Sequence, residues 1–405
     1  MSLREAVERA LKESPDVVLA RLETEKAEQA ARLAHSVFVP NLVVGSGLAA
    51  TYGSPESIDG SLPSIVQARV TGSVFNRAQS LRLAAARENH RSAEIDATAR
   101  QDEAVYRIAE AFLDAESAGR IAEMSRHETE AAGRVLDSVR ARAAEGRELP
   151  IEVKKAELNQ ARARYRAEVF ESNAEAARIS LAALLAFEPG DQVQPAPGER
   201  TAPAVPESAD AAVAAALASS KEVRSLESKL LAKQLDVRSQ AAERLPRLDL
   251  VAQYALLAKF NNYAKYFNAF QRNNGQAGVS VQFPVFSGPA VSAAVGQAEA
   301  EAAEVRVRLR STQGRVAADT RRAYEEMQQA GTAQEIAKMD LDVARDQVSV
   351  LLAQMGEGRA SLGQVDQART AETGKWIALY EATATAEKAR WALLRQTGDL
   401  VAALR

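Results

Sequence analysis

Apolar residues recur along this chain with two different periods, and the changeover is abrupt. In "VSVQFPVFSGPAVSAAVGQAEAEAAEVRVRL" (Val279 to Leu309) they come at every second position as far as Phe286. After Ser287 the chain turns Ala-rich and charged, with helical spacing. A period of two marks a strand and a period between three and four marks a helix, so a strand runs almost directly into a helix. A weaker copy of the switch stands near Phe75. Downstream of it Val105, Ile108 and Phe112, then Val135 and Val139, keep the spacing of one buried helical stripe.

The copy belongs to an internal repeat. Setting Ser2–Val44 against Ser208–Leu250, at an offset of 206, aligns Ser2, Val7, Ser14, Pro40 and Leu42 with Ser208, Val213, Ser220, Pro246 and Leu248. Further on the offset is 212, and Gly119, Gly146, Arg147 and Val153 fall on Gly331, Gly358, Arg359 and Val365. A loop between the strands absorbs the extra residues at little cost. The pattern predicts a first repeat over 1–186: a helix, strands at about 42–52 and 64–75, a long helix, a tip at 145–150 and a return helix. A Pro-rich connector follows at 187–207. The second repeat spans 208–405, with strands at about 248–260 and 276–286 and a tip at 356–362. The opening helices are predicted as single pieces, about Leu3–His35 and Ala209–Glu243. Each long helix, near 70 residues at 1.5 Å per residue, would reach about 100 Å, so these rods must lie against one another as coiled-coil hairpins.

Every strand has one apolar and one polar face. On the polar side are Gln67, Arg69 and Thr71, then Asp249, Gln253 and Lys259, then Ser280 and Gln282. Segments of about ten residues with this dyad alternation suit an outer-membrane barrel, lipid outside and water inside. A half-buried antiparallel sheet in a soluble protein alternates identically. Two features favour the barrel. A soluble four-stranded sheet would need a cover, and no element is left over to supply one. Tyr263, Tyr266, Phe267 and Phe270 also stand beside a strand end, as an interfacial aromatic girdle would, although a small buried cluster would read the same. Four strands cannot close a barrel in lipid, so the chain must oligomerise; three copies would give twelve strands.

Composition narrows the function. Lys and Arg number 51 against 54 Asp and Glu, a formal charge of -3, which gives no basic face for nucleic acid. Aromatics are 5%, low for a compact core, while Ala, Glu, Arg, Gln and Leu dominate as in coiled coils. No run of 18 apolar residues suggests a transmembrane helix. Cysteine is absent, which removes disulfides and thiolate metal sites. His35, His90 and His127 are far apart on charged helices and read as solvated surface. Glu325 and Glu326 sit among arginines at ion-pair spacing. No phosphate loop, dinucleotide fingerprint or HExxH motif occurs, so neither an enzyme nor a cofactor is expected.

Over essentially its whole length the chain resembles the TolC-type outer membrane efflux proteins. The resemblance rests on "VQFPVFSGPAVSAAVGQAEA", on the two tips, and on the order of elements in both halves. Gly358, Ser361, Gln364, Val365 and Ala368 are similar to the family's tip pattern. Gly146, Glu152, Val153 and Ala156 follow it in the first half, where Leu149 and Pro150 depart from it. Asn76 and Arg77 likewise depart where the second half has Ser287 and Gly288. The resemblance implies a homotrimeric outer membrane channel-tunnel, the exit duct of a tripartite efflux or type I secretion system. It implies docking on a periplasmic adaptor, itself bound to an inner-membrane pump, through Gly146, Arg147, Leu149 and Pro150 of one tip and Gly358, Arg359, Ser361 and Leu362 of the other. In some family members carboxylates near this end form a cation-favouring ring, and the matching positions here are Glu152, Gln364, Asp366 and Gln367. Asp366 could equally pair with Arg369, three residues on, on an outer face. The rival readings are a periplasmic adaptor, expected to have one hairpin flanked by β domains, and a non-membrane coiled-coil scaffold, which would have no use for the strands.

Overall fold

The computed structural model describes residues 1–48, 63–196, 204–258, 265, 268, 271–286, 288–357 and 359–404. Among them the elements run α1 (Leu3–Glu13), α2 (Pro15–Ser36), β1 (Asn41–Gly47), β2 (Ser64–Phe75), α3 (Arg77–Ala144) and α4 (Pro150–Leu184). The second half repeats them as α5 (Ala209–Ser219), α6 (Lys221–Ala242), β3 (Arg247–Leu257), β4 (Asn273–Gln282), α7 (Ala290–Gly356) and α8 (Leu362–Thr397). A short α9 (Leu400–Leu404) follows. The fold is mainly helical, duplicated, with one small sheet.

The opening helices differ from expectation: each is two pieces. Ser14 leaves the helix with ψ 130°, as a residue before proline must, because Pro15 excludes the helical conformation there. The break recurs at the repeat-related Ser220, with ψ 111°, although Lys221 follows it. Here the serine side chain takes over, accepting from Val223 N at 3.3 Å and so capping α6. The N-terminus of α1 carries a full capping box between Ser2 and Glu5, at 2.8 and 3.3 Å.

The chain forms two compact units. One comprises Met1–Arg21, Ala97–Val223 and Thr312–Arg405. Its core joins α1 to α3 and α4 through Ala6, Ala10, Ile108, Phe112, Leu181 and Leu185. A second cluster joins α1 and α3 to α8 and α9 through Val7, Val105, Leu113, Trp391, Leu394 and Leu400. Each large side chain buried here contributes roughly 1.5–3 kcal/mol.

The other unit comprises Leu22–Asp96 and Arg224–Ser311. Its helices touch through small residues: Ser92 and Ser225 place their hydroxyl oxygens 2.9 Å apart, and Ser239 Oγ donates to Ala78 O at 2.9 Å. Close contacts of this kind need little aromatic volume, which accounts for the low aromatic content. The same unit holds the antiparallel sheet, in the order β1-β2-β3-β4. The β2·β3 pairing therefore joins the two halves of the sequence. β4 starts at Asn273, earlier than the alternation suggests, because Asn273, Asn274 and Gly275 pair with Leu256, Ala255 and Tyr254. It ends before Pro284, which has no amide to give to a ladder.

Candidate functional site

The chain offers two surfaces rather than a cleft. In the sheet, register decides which side chains share a face. Arg69 lies opposite Gln253 and Thr71 opposite Val251. Asp249 lies between Ser73 on one side and Ser280 on the other, while Gln282 faces Arg247. With Gln67 two residues before Arg69, the described residues expected on the polar side fall on one face. Asn274 and Arg247 join them, both just before the strands expected at about 276–286 and 248–260. Arg247 Nε donates to Gln282 Oε1 at 2.8 Å, and Gln276 Nε2 donates to Gln253 Oε1 at 3.5 Å. Lys259, Tyr263, Tyr266, Phe267 and Phe270 lie outside the described residues.

The opposite face is apolar and bare. Leu42 pairs with Val70, which pairs with Ala252, which pairs with Ala277. Leu250 faces Val279 and Leu248 faces Val281. Val279 and Val281 are 58% and 61% exposed. A continuous exposed apolar face on a sheet needs a non-aqueous environment or a partner.

The tips lie in the other unit and solve one problem in two ways. At the end of α3, Gly146 has φ +72°, its N–H bonds Ala143 O at 3.0 Å, and Arg147 N bonds Arg142 O at 2.9 Å. This is a Schellman closure, which needs the left-handed conformation that glycine adopts without penalty. At the second tip Arg359 N bonds Gln354 O at 2.8 Å, the same six-to-one bond. Gly358 itself lies outside the described residues. Each arginine pairs with a glutamate across the turn, Arg147 with Glu145 at 3.1 Å and Arg359 with Glu357 at 3.2 Å. The return helices begin differently. Ser361 caps α8 in a capping box with Gln364, whose Oε1 accepts from Ser361 N at 2.8 Å. Leu149 gives α4 no side-chain cap, but Pro150 at the first position removes one orphan donor. Leu362 packs with Val135 and Val153 beside Leu136, Val139 and Ala156, which brings the start of α8 against the α3–α4 hairpin.

Of the four residues expected near the aperture, Glu152, Gln364 and Asp366 are hydrogen-bonded within the chain. Glu152 Oε1 accepts from Lys155 Nζ at 2.7 Å. Gln364 is occupied by the cap, and Gln367 is exposed. Asp366 Oδ2 accepts from Asn159 Nδ2 at 3.0 Å, a bond between α8 and α4. Neither sequence reading of Asp366 foresaw Asn159, 207 residues away. The capping box was legible, since Ser361 and Gln364 have its spacing.

Among the described residues no group of three or more His, Cys, Asp or Glu could hold a metal, and no helix is long and apolar enough to cross a membrane. Comparison with known proteins decides the family. The model of the outer membrane efflux protein family matches residues 6–186 and 212–399, both repeats nearly entire. The chain belongs to the outer membrane efflux protein family. Among solved structures it is similar to VceC, an outer membrane protein of Vibrio cholerae, at 17% identity and TM-score 0.78, covering 98% of this chain and 96% of that one. CusC, whose crystal structures describe transmembrane channel formation, matches at 14% identity and TM-score 0.80, covering 98% and 92%. The CmeC outer membrane channel of Campylobacter jejuni matches at 15% and 0.78, covering 98% and 86%. No individually curated protein matches by sequence. The fold is that of the channel-tunnels, located in the outer membrane and extending into the periplasm. The family and these neighbours are channels rather than enzymes.

Proposed function

We propose that three copies of this chain form the exit duct of a tripartite efflux system. The observation that carries the reading is the sheet: four strands in a row, one face apolar and exposed, and no further strand beyond β1 or β4 among the described residues. Unpaired strand edges in hydrocarbon cost several kcal/mol per orphan group, so an open sheet does not persist in a bilayer. Three copies edge to edge supply twelve strands, enough for closure. Gln67, Arg69, Thr71, Asp249, Gln253, Ser280 and Gln282 would then line a wet lumen. The tips, with Gly146, Arg147, Leu149 and Pro150 on one and Gly358, Arg359, Ser361 and Leu362 on the other, dock on a periplasmic adaptor coupled to an inner-membrane pump. Sedimentation in detergent tests the assembly: a trimer is expected, and a stable monomer with full strand content overturns it. A type I secretion system would use the same duct; no observation here favours it.

A further inference from the structure

The polar face of the sheet carries its charges unevenly. Within the four strands, the charged residues described on that face are Arg69 on β2 and Arg247 and Asp249 on β3. Arg247 Nε lies 4.0 Å from Asp249 Oδ2, so these two balance each other. Arg69 is exposed, and among the described residues its guanidinium makes no hydrogen bond or ion pair. Asp249 lies opposite Ser73, four residues along β2 from Arg69. At about 3.3 Å per residue that is roughly 13 Å, beyond the screening length of about 10 Å in 0.1 M salt. A further positive charge, Arg272, precedes β4, where its Nε donates to Leu257 O at 2.9 Å.

Register sets the company Arg69 keeps. It lies across from Val43 on β1 and from Gln253 on β3, and Gln253 lies across from Gln276 on β4. One row at mid-height of the sheet thus runs through all four strands. Three of its side chains are long and polar, and Gln276 Nε2 donates to Gln253 Oε1 at 3.5 Å. In the rows to either side Gly45 and Ala255, then Val251 and Gly278, are short, so the polar face projects furthest at Arg69. The edge strands carry no charge on this face, from Asn41 to Gly45 on β1 and from Asn274 to Gln282 on β4. An edge strand of another copy laid against either one therefore adds no carboxylate to cancel Arg69.

We infer that Arg69 makes the barrel section of the duct prefer anions. Three copies bring three guanidiniums to one height, each beside the amides of Gln253 and Gln276, and the resulting collar favours negatively charged solutes over cations. The inference rests on the duct proposed above and adds the sign of the solute its barrel favours. A water-filled passage between low-dielectric walls concentrates the field of such a ring and enriches its counter-ions. For an ion passing about 10 Å from each of three charges in 0.1 M salt, screened Coulomb attraction amounts to roughly twofold enrichment of anions and a like depletion of cations. The effect grows as salt is lowered.

Reversal potentials in planar bilayers under a potassium chloride gradient test the collar. Arg69→Gln should lower the chloride-to-potassium permeability ratio by roughly two- to fivefold in 0.1 M salt. Arg69→Glu should lower it further, and Arg69→Lys, which keeps the charge, should hold it near the parent value. Each variant is compared with the parent, so fixed charges elsewhere in the duct act equally on both. A ratio lost as fully with Arg69→Lys as with Arg69→Gln would mean a structural role and overturn the inference. Trimeric channels whose ratio neither Arg69→Gln nor Arg69→Glu moves would overturn the collar and leave the duct standing; a chain that forms no channel removes both. A larger amount of Arg69→Gln than of parent assembled in the outer membrane would place Arg69 against lipid, where a mid-height arginine is destabilising, and would also overturn it.

Discussion

Asn159 Nδ2 sits 3.0 Å from Asp366 Oδ2, so the carboxylate nearest the start of α8 is tied to α4 rather than to Arg369 beside it. The amide carries no charge, so this bond does not itself neutralise the Asp366 carboxylate. Glu152 differs, since Lys155 Nζ is 2.7 Å from its carboxylate. If the end of the duct selects ions through these residues, Asp366→Asn should reduce cation preference in planar bilayers more than Glu152→Gln. The difference should widen below 0.1 M salt, where screening lengths exceed about 10 Å. Equal effects, or a larger one from Glu152, would contradict the assignment.

The first tip yields a prediction about backbone conformation. Gly146 has φ +72°, and a Cβ there would meet nothing within 4 Å, so substitution costs only conformational energy. For an ordinary L-residue that cost is about 1–2 kcal/mol. Gly146→Val should loosen the Schellman closure and fail in transport while subunit number and strand content stay normal. Normal efflux at normal expression would remove this turn from adaptor docking. At the other tip, Ser361→Ala removes one capping hydrogen bond, a loss of about 0.5–2 kcal/mol. Faster amide exchange at Gln364 should report it.

What was legible in the sequence was whatever is periodic. The switch from period two to helical spacing at Phe286 is local, and alternation such as Gln67, Arg69, Thr71 assigns a face without knowledge of the partner strand. Register then had only to agree, and Arg69 opposite Gln253 does. The helix break at Ser14 had a signal in Pro15, but the break at Ser220 has none, because lysine follows and a serine side chain alone closes the turn. Asn159 was invisible for a different reason. A hydrogen bond spanning 207 residues depends on how two hairpins pack, and no spacing encodes that.

The two faces of the sheet should respond oppositely to charge. Leu250, opposite Val279, lies on the apolar face; Gln253, opposite Arg69, lies on the polar one. An arginine facing lipid near the bilayer midplane costs roughly 2–4 kcal/mol, and one facing the lumen costs little. Leu250→Arg should therefore reduce the amount assembled in the outer membrane, whereas Gln253→Arg should assemble normally and lower cation conductance. Normal assembly of both would place Leu250 away from lipid.

A last prediction concerns pH and lies in the helices beside the sheet. Asp236 sits one turn after Lys233, whose Nζ donates to Glu301 Oε2 at 2.7 Å. Burial pushes the Asp236 carboxyl above its ordinary 3.8, and Glu301 adds to this, against the opposing pull of Lys233 and Arg82. A carboxyl with a raised folded value favours the native state while protonated. Its stabilising effect is complete below the ordinary value and is lost as pH rises through the folded one. At neutral pH the ionised Asp236 is thus a net cost. Asp236→Asn keeps the shape and removes the charge, so thermal unfolding at pH 7 should move to higher temperature. The gain should shrink towards about pH 3, where the native carboxyl is itself protonated. A variant less stable than the parent at neutral pH would show that the attraction of Lys233 and Arg82 outweighs the burial of the charge.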